Sequence, residues 1–224
     1  MSDDNITVDL LKESEISQLD NFINFKIIIV GDSAVGKSCL LKRAVQNKFD
    51  KNYQATIGFE FLLMHFKVND LKIKLQIWDT CGQEMYRSLI QGFYRNTSLA
   101  LVVYDVNRKE TYDALDIWLK DIRDHTEQNI PIFIAGNKCD LQKAVSTEEA
   151  QVYSVSSRAK NFTECSAKTG QNVKEIFFEA AKYLYKSYKE FQGQNKLPST
   201  SNRLKIGADD NNNLNEKKKK CCYK

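Results

Sequence analysis

The sequence predicts an α/β domain: a mostly parallel six-stranded sheet with one antiparallel edge hairpin and helices on both faces. Two observations carry this prediction. Short runs rich in β-branched and apolar residues alternate with segments of helical periodicity between residues 25 and 188. One pair of runs is separated only by Asn69–Asp70, a two-residue hairpin signal, while helical segments lie between most of the others.

Phe25–Val30 is rich in β-branched residues, as expected of a strand buried on both faces. Lys37–Gln46 follows as a helix. Phe59–Val68 and Leu71–Trp78 flank the hairpin turn, and Leu71, Ile73, Leu75 and Ile77 alternate with Lys72, Lys74 and Gln76. That period of two marks a half-buried strand. Leu99–Tyr104 and Ile130–Gly136 are further strands, each followed by polar turn residues. Thr111–Thr126 places Leu115, Ile117, Trp118, Leu119 and Ile122 at helix-like spacings. Thr147–Lys160 and Val173–Tyr188 read as the last helices, with Asn161–Cys165 as a short strand between them.

The chain of 224 residues suits one domain with extensions. Residues 1–23 carry Asp3, Asp4, Asp9, Glu13, Glu15 and Asp20 and read as a flexible acidic extension. Residues 24–189 form the domain. Residues 190–224 turn polar, end in Lys217–Lys220 and a cysteine pair, and read as a disordered tail. A net charge of +4 gives no ground for a nucleic-acid partner. Cys39, Cys81, Cys139, Cys165, Cys221 and Cys222 form no C-x-x-C pair, and there are two histidines, which argues against structural zinc. Without a signal peptide or a membrane-length apolar run, the expected setting is cytosolic with reduced thiols.

The strand Phe25–Val30 runs directly into Gly31-Asp32-Ser33-Ala34-Val35-Gly36-Lys37-Ser38, a G-x-x-x-x-G-K-S phosphate loop between a strand and a helix. Its glycines let backbone N–H groups of Ser33, Ala34, Val35, Gly36, Lys37, Ser38 and Cys39 curl around phosphate oxygens at a helix N-terminus. Lys37 offers positive charge to the β- and γ-phosphates, and the Ser38 hydroxyl can ligate Mg²⁺. The motif predicts a nucleoside triphosphate but does not name the base.

The base follows from Asn137-Lys138-Cys139-Asp140 at the end of a later strand. A carboxylate there can accept from the N1–H and exocyclic amine of guanine, a donor pair that adenine lacks at that edge. Leu71–Trp78 leads into Asp79-Thr80-Cys81-Gly82-Gln83. Asp79 is suited to hold Mg²⁺ through water, Gly82 to let a backbone amide approach a γ-phosphate, and Gln83 to orient the attacking water. Thr56 offers a second hydroxyl to Mg²⁺ from the loop before the hairpin. Loops ordered by the γ-phosphate and Mg²⁺, and released on hydrolysis, make a switch.

These motifs, with Glu164-Cys165-Ser166-Ala167-Lys168, resemble the Ras superfamily of small GTPases over about residues 25–188. Ile57–Phe61, Lys74–Thr80, Tyr86–Leu89, Phe93–Arg95 and Leu101–Asp105 resemble its Rab branch. The resemblance implies that Phe49 stacks on guanine and that Ser166, Ala167 and Lys168 complete the base pocket, the Ala167 amide reaching the guanine carbonyl. It implies that Phe61, Trp78 and Phe93 display the nucleotide state to effectors. Cys81, Cys165, Phe93 and Ala34 depart from the usual residues of the branch, but none removes a ligand group.

The expected activity is slow hydrolysis of GTP to GDP with Mg²⁺, Lys37 and Gln83 being the catalytic residues. No arginine is placed near the phosphate loop as a finger in cis, since Ser33 occupies the nearby loop position and Arg87 lies well past Gln83, so acceleration is left to an activating protein in trans. The ending Lys217–Lys224 resembles the Rab C-C-x-x tail, implying geranylgeranyl groups on Cys221 and Cys222 beside a basic cluster. The expected partners are an exchange factor, an activating protein, a dissociation inhibitor, an escort protein and effectors. A monomer is expected on the cytoplasmic face of an intracellular membrane, cycling with the cytosol. A nucleotide kinase and a non-hydrolysing nucleotide-bound scaffold are the alternatives; the guanine motif speaks against the first and intact Lys37, Ser38, Thr56, Asp79 and Gln83 against the second.

Overall fold

A computed structural model of the chain describes residues 6–16, 21–50, 59–80, 92–126 and 130–194. In chain order its elements are β1 (Val8–Leu10), α1 (Glu13–Ile16), β2 (Ile23–Val30), α2 (Lys37–Gln46), β3 (Phe59–Val68) and β4 (Leu71–Thr80). They continue with β5 (Leu99–Asp105), α3 (Lys109–Asp113), α4 (Leu115–His125), β6 (Ile132–Asn137), α5 (Thr147–Ser156), β7 (Asn161–Glu164) and α6 (Val173–Gln194).

The strands form one sheet in the order β1-β3-β4-β2-β5-β6-β7. β2 lies at its centre, parallel to β4 on one side and β5 on the other, and β6 and β7 extend the parallel half. β3 and β4 make the antiparallel hairpin around Asn69–Asp70. Because β2 is buried on both faces, its side chains divide between two cores. Ile27 and Ile29 pack with Leu40, Leu41 and Ala44 of α2 and Ile176, Phe177 and Ala180 of α6. Ile28 and Val30 pack with Trp118, Leu119 and Ile122 of α4 and Tyr112 of α3. Helices therefore cover both faces, as the sequence predicts.

The sheet has seven strands rather than six. The seventh, β1, comes from the stretch expected to be a flexible extension. It pairs antiparallel with β3, Val8 opposite Val68 and Leu10 opposite Phe66. Ile6, Val8 and Leu10 pack against the first core, while the Thr7 amide and hydroxyl donate to Asn69 Oδ1. The acidic residues of this stretch obscured three apolar positions at a period of two.

Helix boundaries differ in three places. The helix expected over Thr111–Thr126 begins two residues earlier, where Thr111 Oγ1 accepts from the Asp105 amide at 3.0 Å, and is interrupted at Ala114. α5 stops at Ser156 because Arg158 takes a left-handed φ of 61°. α6 continues to Gln194, so residues 190–194 belong to the domain's last helix and not to the tail.

Removing residues 1–11 strips Val8 and Leu10 of β1, and Ile6 before it, from the sheet edge. The expected cost is about 2–3 kcal/mol of unfolding free energy, read from urea titration of the full and shortened chains. An unchanged midpoint would show that β1 contributes nothing to stability.

Candidate functional site

Strand ends converge on one edge of the sheet. Gly31 follows β2, Asp79 and Thr80 close β4, Asp105 closes β5, Asn137 closes β6, and Ser166 follows β7. In an open α/β sheet this carboxyl edge is where ligands bind, at the point where the strand order reverses. Here that point is beside β2, from which the sheet grows in both directions.

The loop Gly31–Gly36 leaves β2 with φ of 140° at Gly31 and 95° at Gly36. Both must be glycine. A Cβ on Gly31 would lie 2.1 Å from the Val103 carbonyl oxygen, and one on Gly36 would lie 2.5 Å from Asn137 Nδ2. Between them Ala34 takes φ 61°, a left-handed conformation adopted here without the glycine that usually carries it.

Every residue from Asp32 to Val35 is held by a side chain from elsewhere in the fold. Trp118 Nε1 donates to Asp32 Oδ1 at 2.7 Å, and Arg108 Nη2 to the Ser33 carbonyl at 2.9 Å. Lys138 Nζ donates to the Ala34 carbonyl and Asn137 Nδ2 to the Val35 carbonyl, each at 2.8 Å. Peptide planarity turns these bonds into an aiming device, since in a trans peptide the C=O of one residue opposes the N–H of the next. Fixing the carbonyls of Ser33, Ala34 and Val35 fixes the amides of Ala34, Val35 and Gly36 in the opposite sense. Such an array of amides at the start of a helix suits an anion. Lys37 adds a charge: its nearly buried side chain folds over the loop, with Nζ 2.7 Å from the Gly31 carbonyl and 2.8 Å from that of Asp32.

Beside the loop, Asp79 is fully buried. Ser38 Oγ donates to its Oδ2, while its Oδ1 has no hydrogen-bond partner among the described residues. Burial pushes this carboxyl up to about 6, against the opposing effects of the Ser38 bond and the Lys37 charge. A buried, unsatisfied carboxylate oxygen beside a hydroxyl is a place that lacks positive charge, and an all-oxygen donor set suits a hard divalent cation such as Mg²⁺.

The third part of the site lies across β6 and β7. Asn137 Oδ1 accepts from the Ala167 amide at 3.1 Å while its Nδ2 holds Val35, so one side chain joins the phosphate loop to residues 166–168. Ser166 Oγ donates to Asp140 Oδ1 at 2.6 Å, and Lys168 Nζ lies 3.3 Å from Oδ2. The Ser166 bond leads in holding the Asp140 carboxyl below its ordinary range, so it is an acceptor at neutral pH. Arg43 of α2 braces the same residues, donating to the carbonyls of Ala167 at 2.8 Å and Lys168 at 2.7 Å. Its guanidinium lies 5.9 Å from the Phe49 ring, which brings Phe49 to this end of the site. Cys39, in the first turn of α2, has its thiol pushed up chiefly by burial.

On the hairpin, Phe61 and Trp78 have ring centroids 4.9 Å apart, and Trp78 and Phe93 5.5 Å. Phe59, which sequence reading quoted but did not select, joins them at 4.8 Å from Phe93 and is 51% exposed. Lys26 Nζ lies 5.3 Å from the Trp78 ring.

The structure thus brings together Ser33 to Cys39, Asp79, Asn137, Lys138, Asp140 and Ser166 to Lys168, and groups Phe61, Trp78 and Phe93. Thr56, Cys81, Gly82, Gln83, Tyr86–Leu89 and the tail residues Lys217–Lys220, Cys221 and Cys222 lie outside the described residues. One residue that the sequence did not single out is Arg108, which the turn after β5 brings onto the Ser33 carbonyl across 75 residues of sequence. Arg43, Asp105 and Trp118 were also missed as site residues. A helical Arg or Trp carries no local signal of the carbonyl or carboxylate it will meet.

A model of the Ras family matches residues 26–186 of the chain. The Ras-related protein Rab11B of Nicotiana tabacum is 45% identical over 164 residues, covering 72% of this chain and 75% of that protein. The span matched by the family model includes every residue of the nucleotide site described above, from Gly31 to Lys168. The chain therefore belongs to the Ras family, in its Rab branch, and is a small GTPase that binds guanine nucleotide and hydrolyses GTP to GDP and phosphate.

Proposed function

We propose that the chain is a membrane-anchored switch of vesicle traffic that recruits effectors in its GTP state and is reset by slow, Mg²⁺-dependent hydrolysis. The observation that carries this reading is the phosphate loop held by its carbonyls, with Lys37 over it and Asn137 tying it to the residues around Asp140. In this reading the amides of residues 33–39 and Lys37 Nζ hold the phosphates, Lys37 exchanging carbonyl partners for β- and γ-oxygens. Asp140 accepts from the guanine N1–H and amine, the Ala167 amide is shared between Asn137 Oδ1 and the guanine carbonyl, and Phe49 covers the base.

Ser38, Thr56 and Asp79 would hold Mg²⁺, which would supply positive charge to offset the negative charge that builds up when the bond from the γ-phosphorus to the bridging oxygen breaks. Gln83 orients a water in line with the γ-phosphorus. The water oxygen bonds to phosphorus, the bridging oxygen leaves with GDP, and no covalent intermediate forms. Arg108 is engaged with the Ser33 carbonyl and with Asp105, so it does not serve as a finger on the γ-phosphate. The arginine that accelerates the step comes from an activating protein.

An exchange factor loads GTP, and Phe61, Trp78 and Phe93, joined by Phe59, form the surface that effectors read. The tail anchors the switch through geranylgeranyl groups on Cys221 and Cys222 and the lysines beside them, since two lipids hold where one does not. An escort protein delivers the chain for lipidation, and a dissociation inhibitor returns it to the cytosol.

Two outcomes test this reading. Replacing Asp140 by Asn exchanges an acceptor for a donor facing guanine, so GDP affinity should fall by about 10²-fold or more. Competition against labelled GDP measures this, and an unchanged affinity places base recognition elsewhere. Purified wild-type protein should turn over GTP at about 10⁻⁴–10⁻³ per second, the range of an unaided Ras-type enzyme. Gln83→Leu should be slower still, as read by phosphate release in a single turnover. Rapid unaided hydrolysis, or a Gln83→Leu rate equal to wild type, would contradict the assigned roles.

A further inference from the structure

Arg108 belongs to none of the nucleotide motifs, yet it completes the set of ties on the phosphate loop. It follows the end of β5, where Asp105 is buried to within 3% of its side-chain surface. Asp105 Oδ1 accepts from the Asn107 amide at 3.0 Å, and its Oδ2 faces two cations, Lys138 Nζ at 2.6 Å and Arg108 Nε at 3.4 Å. Each cation then reaches one step further to a loop carbonyl, Lys138 to Ala34 and Arg108 to Ser33. A single buried carboxylate thereby orients two donors that grip successive peptides of the loop. Arg108 Nε makes no hydrogen bond of its own among the described residues and meets Asp105 as an ion pair, while Nη2 of the same guanidinium donates to the Ser33 carbonyl, a reach to both groups that an ammonium cannot match as well.

The peptide that Arg108 grips joins Ser33 to Ala34. Its N–H is that of Ala34, the residue held at φ 61° without a glycine's freedom. We propose that Arg108, oriented by Asp105, is a positioning residue for the phosphate loop: by holding the Ser33 carbonyl it aims the Ala34 amide at the bound phosphates and slows release of the nucleotide. The inference rests on the reading of this loop as the phosphate site. It concerns the phosphates and not the base, because the base residues Asp140 and Ser166 make no contact with Arg108 among the bonds described. The Arg108 side chain is 41% exposed, so replacing it leaves the cores intact.

The test is release of fluorescently labelled GDP, and in parallel of the inosine analogue, from the full chain with Mg²⁺ and excess unlabelled nucleotide. Arg108→Met should release both nucleotides about threefold to tenfold faster, by the same factor. Arg108→Lys, which keeps one donor but not the fork, should fall between Arg108→Met and wild type. Equal release from Arg108→Met and wild type would overturn the proposal. So would a faster release of one nucleotide alone, since that is the signature of a disturbed base pocket. If Arg108→Met does not fold, Arg108→Lys decides alone: release at the wild-type rate overturns the proposal, and a moderate, base-independent increase supports it. A wild-type chain that retains no labelled GDP would instead overturn the reading of the loop as a nucleotide site.

Discussion

The structure depends on a constraint of the peptide bond itself. A planar trans peptide cannot turn its carbonyl without turning the following N–H, so a loop whose carbonyls are tied down has its amides aimed by default. Trp118 of α4, Arg108 after β5, and Asn137 and Lys138 at the end of β6 hold the four residues Asp32 to Val35. Three of those ties fall on carbonyls. An anion meeting such a loop finds donors already oriented, and the ordering cost that a slack loop would incur on binding has been met in folding.

The same constraint explains why the ends of four strands matter more to this site than any one of them. β2 delivers the loop, β5 delivers Asp105 and Arg108, β6 delivers Asn137 and Lys138, and the turn after β7 delivers the Ala167 amide. Asn137 carries the connection furthest, with one end of its amide on the phosphate loop and the other on the residues that flank Asp140. Phosphate and base sites are therefore one hydrogen-bonded unit. β4 contributes the strained member of the set, a buried carboxylate with one oxygen unsatisfied, and burying such a group is costly unless a cation joins it. On its other side β4 bears Trp78, so the strand that ends at the cation-ready carboxylate also carries the aromatic patch.

The parallel core and the hairpin were legible because burial imposes a period: Ile27 to Val30 face two cores, and Leu71 to Ile77 alternate. The motif residues were legible because phosphate and guanine chemistry demands particular side chains at short spacing. β1 was not, since its two apolar residues, Val8 and Leu10, sit among acids and pair with a strand more than fifty residues away. Arg43, Asp105, Arg108 and Trp118 escaped for a related reason. Their partners are backbone carbonyls or a distant carboxylate, and a backbone carbonyl has no residue identity to match. Arg108 in particular lies 75 residues from the Ser33 carbonyl it holds, so no local pattern joins the two.

The most direct test of a loop whose amides are aimed by its carbonyls is site-resolved amide hydrogen exchange over residues 32–38, with and without saturating GDP and Mg²⁺. The amides of Ala34, Val35 and Gly36 should slow together by about 10²-fold or more when GDP binds, reflecting donors taken up by phosphate. GDP bound stoichiometrically while those three amides exchange as in the free protein would contradict the account.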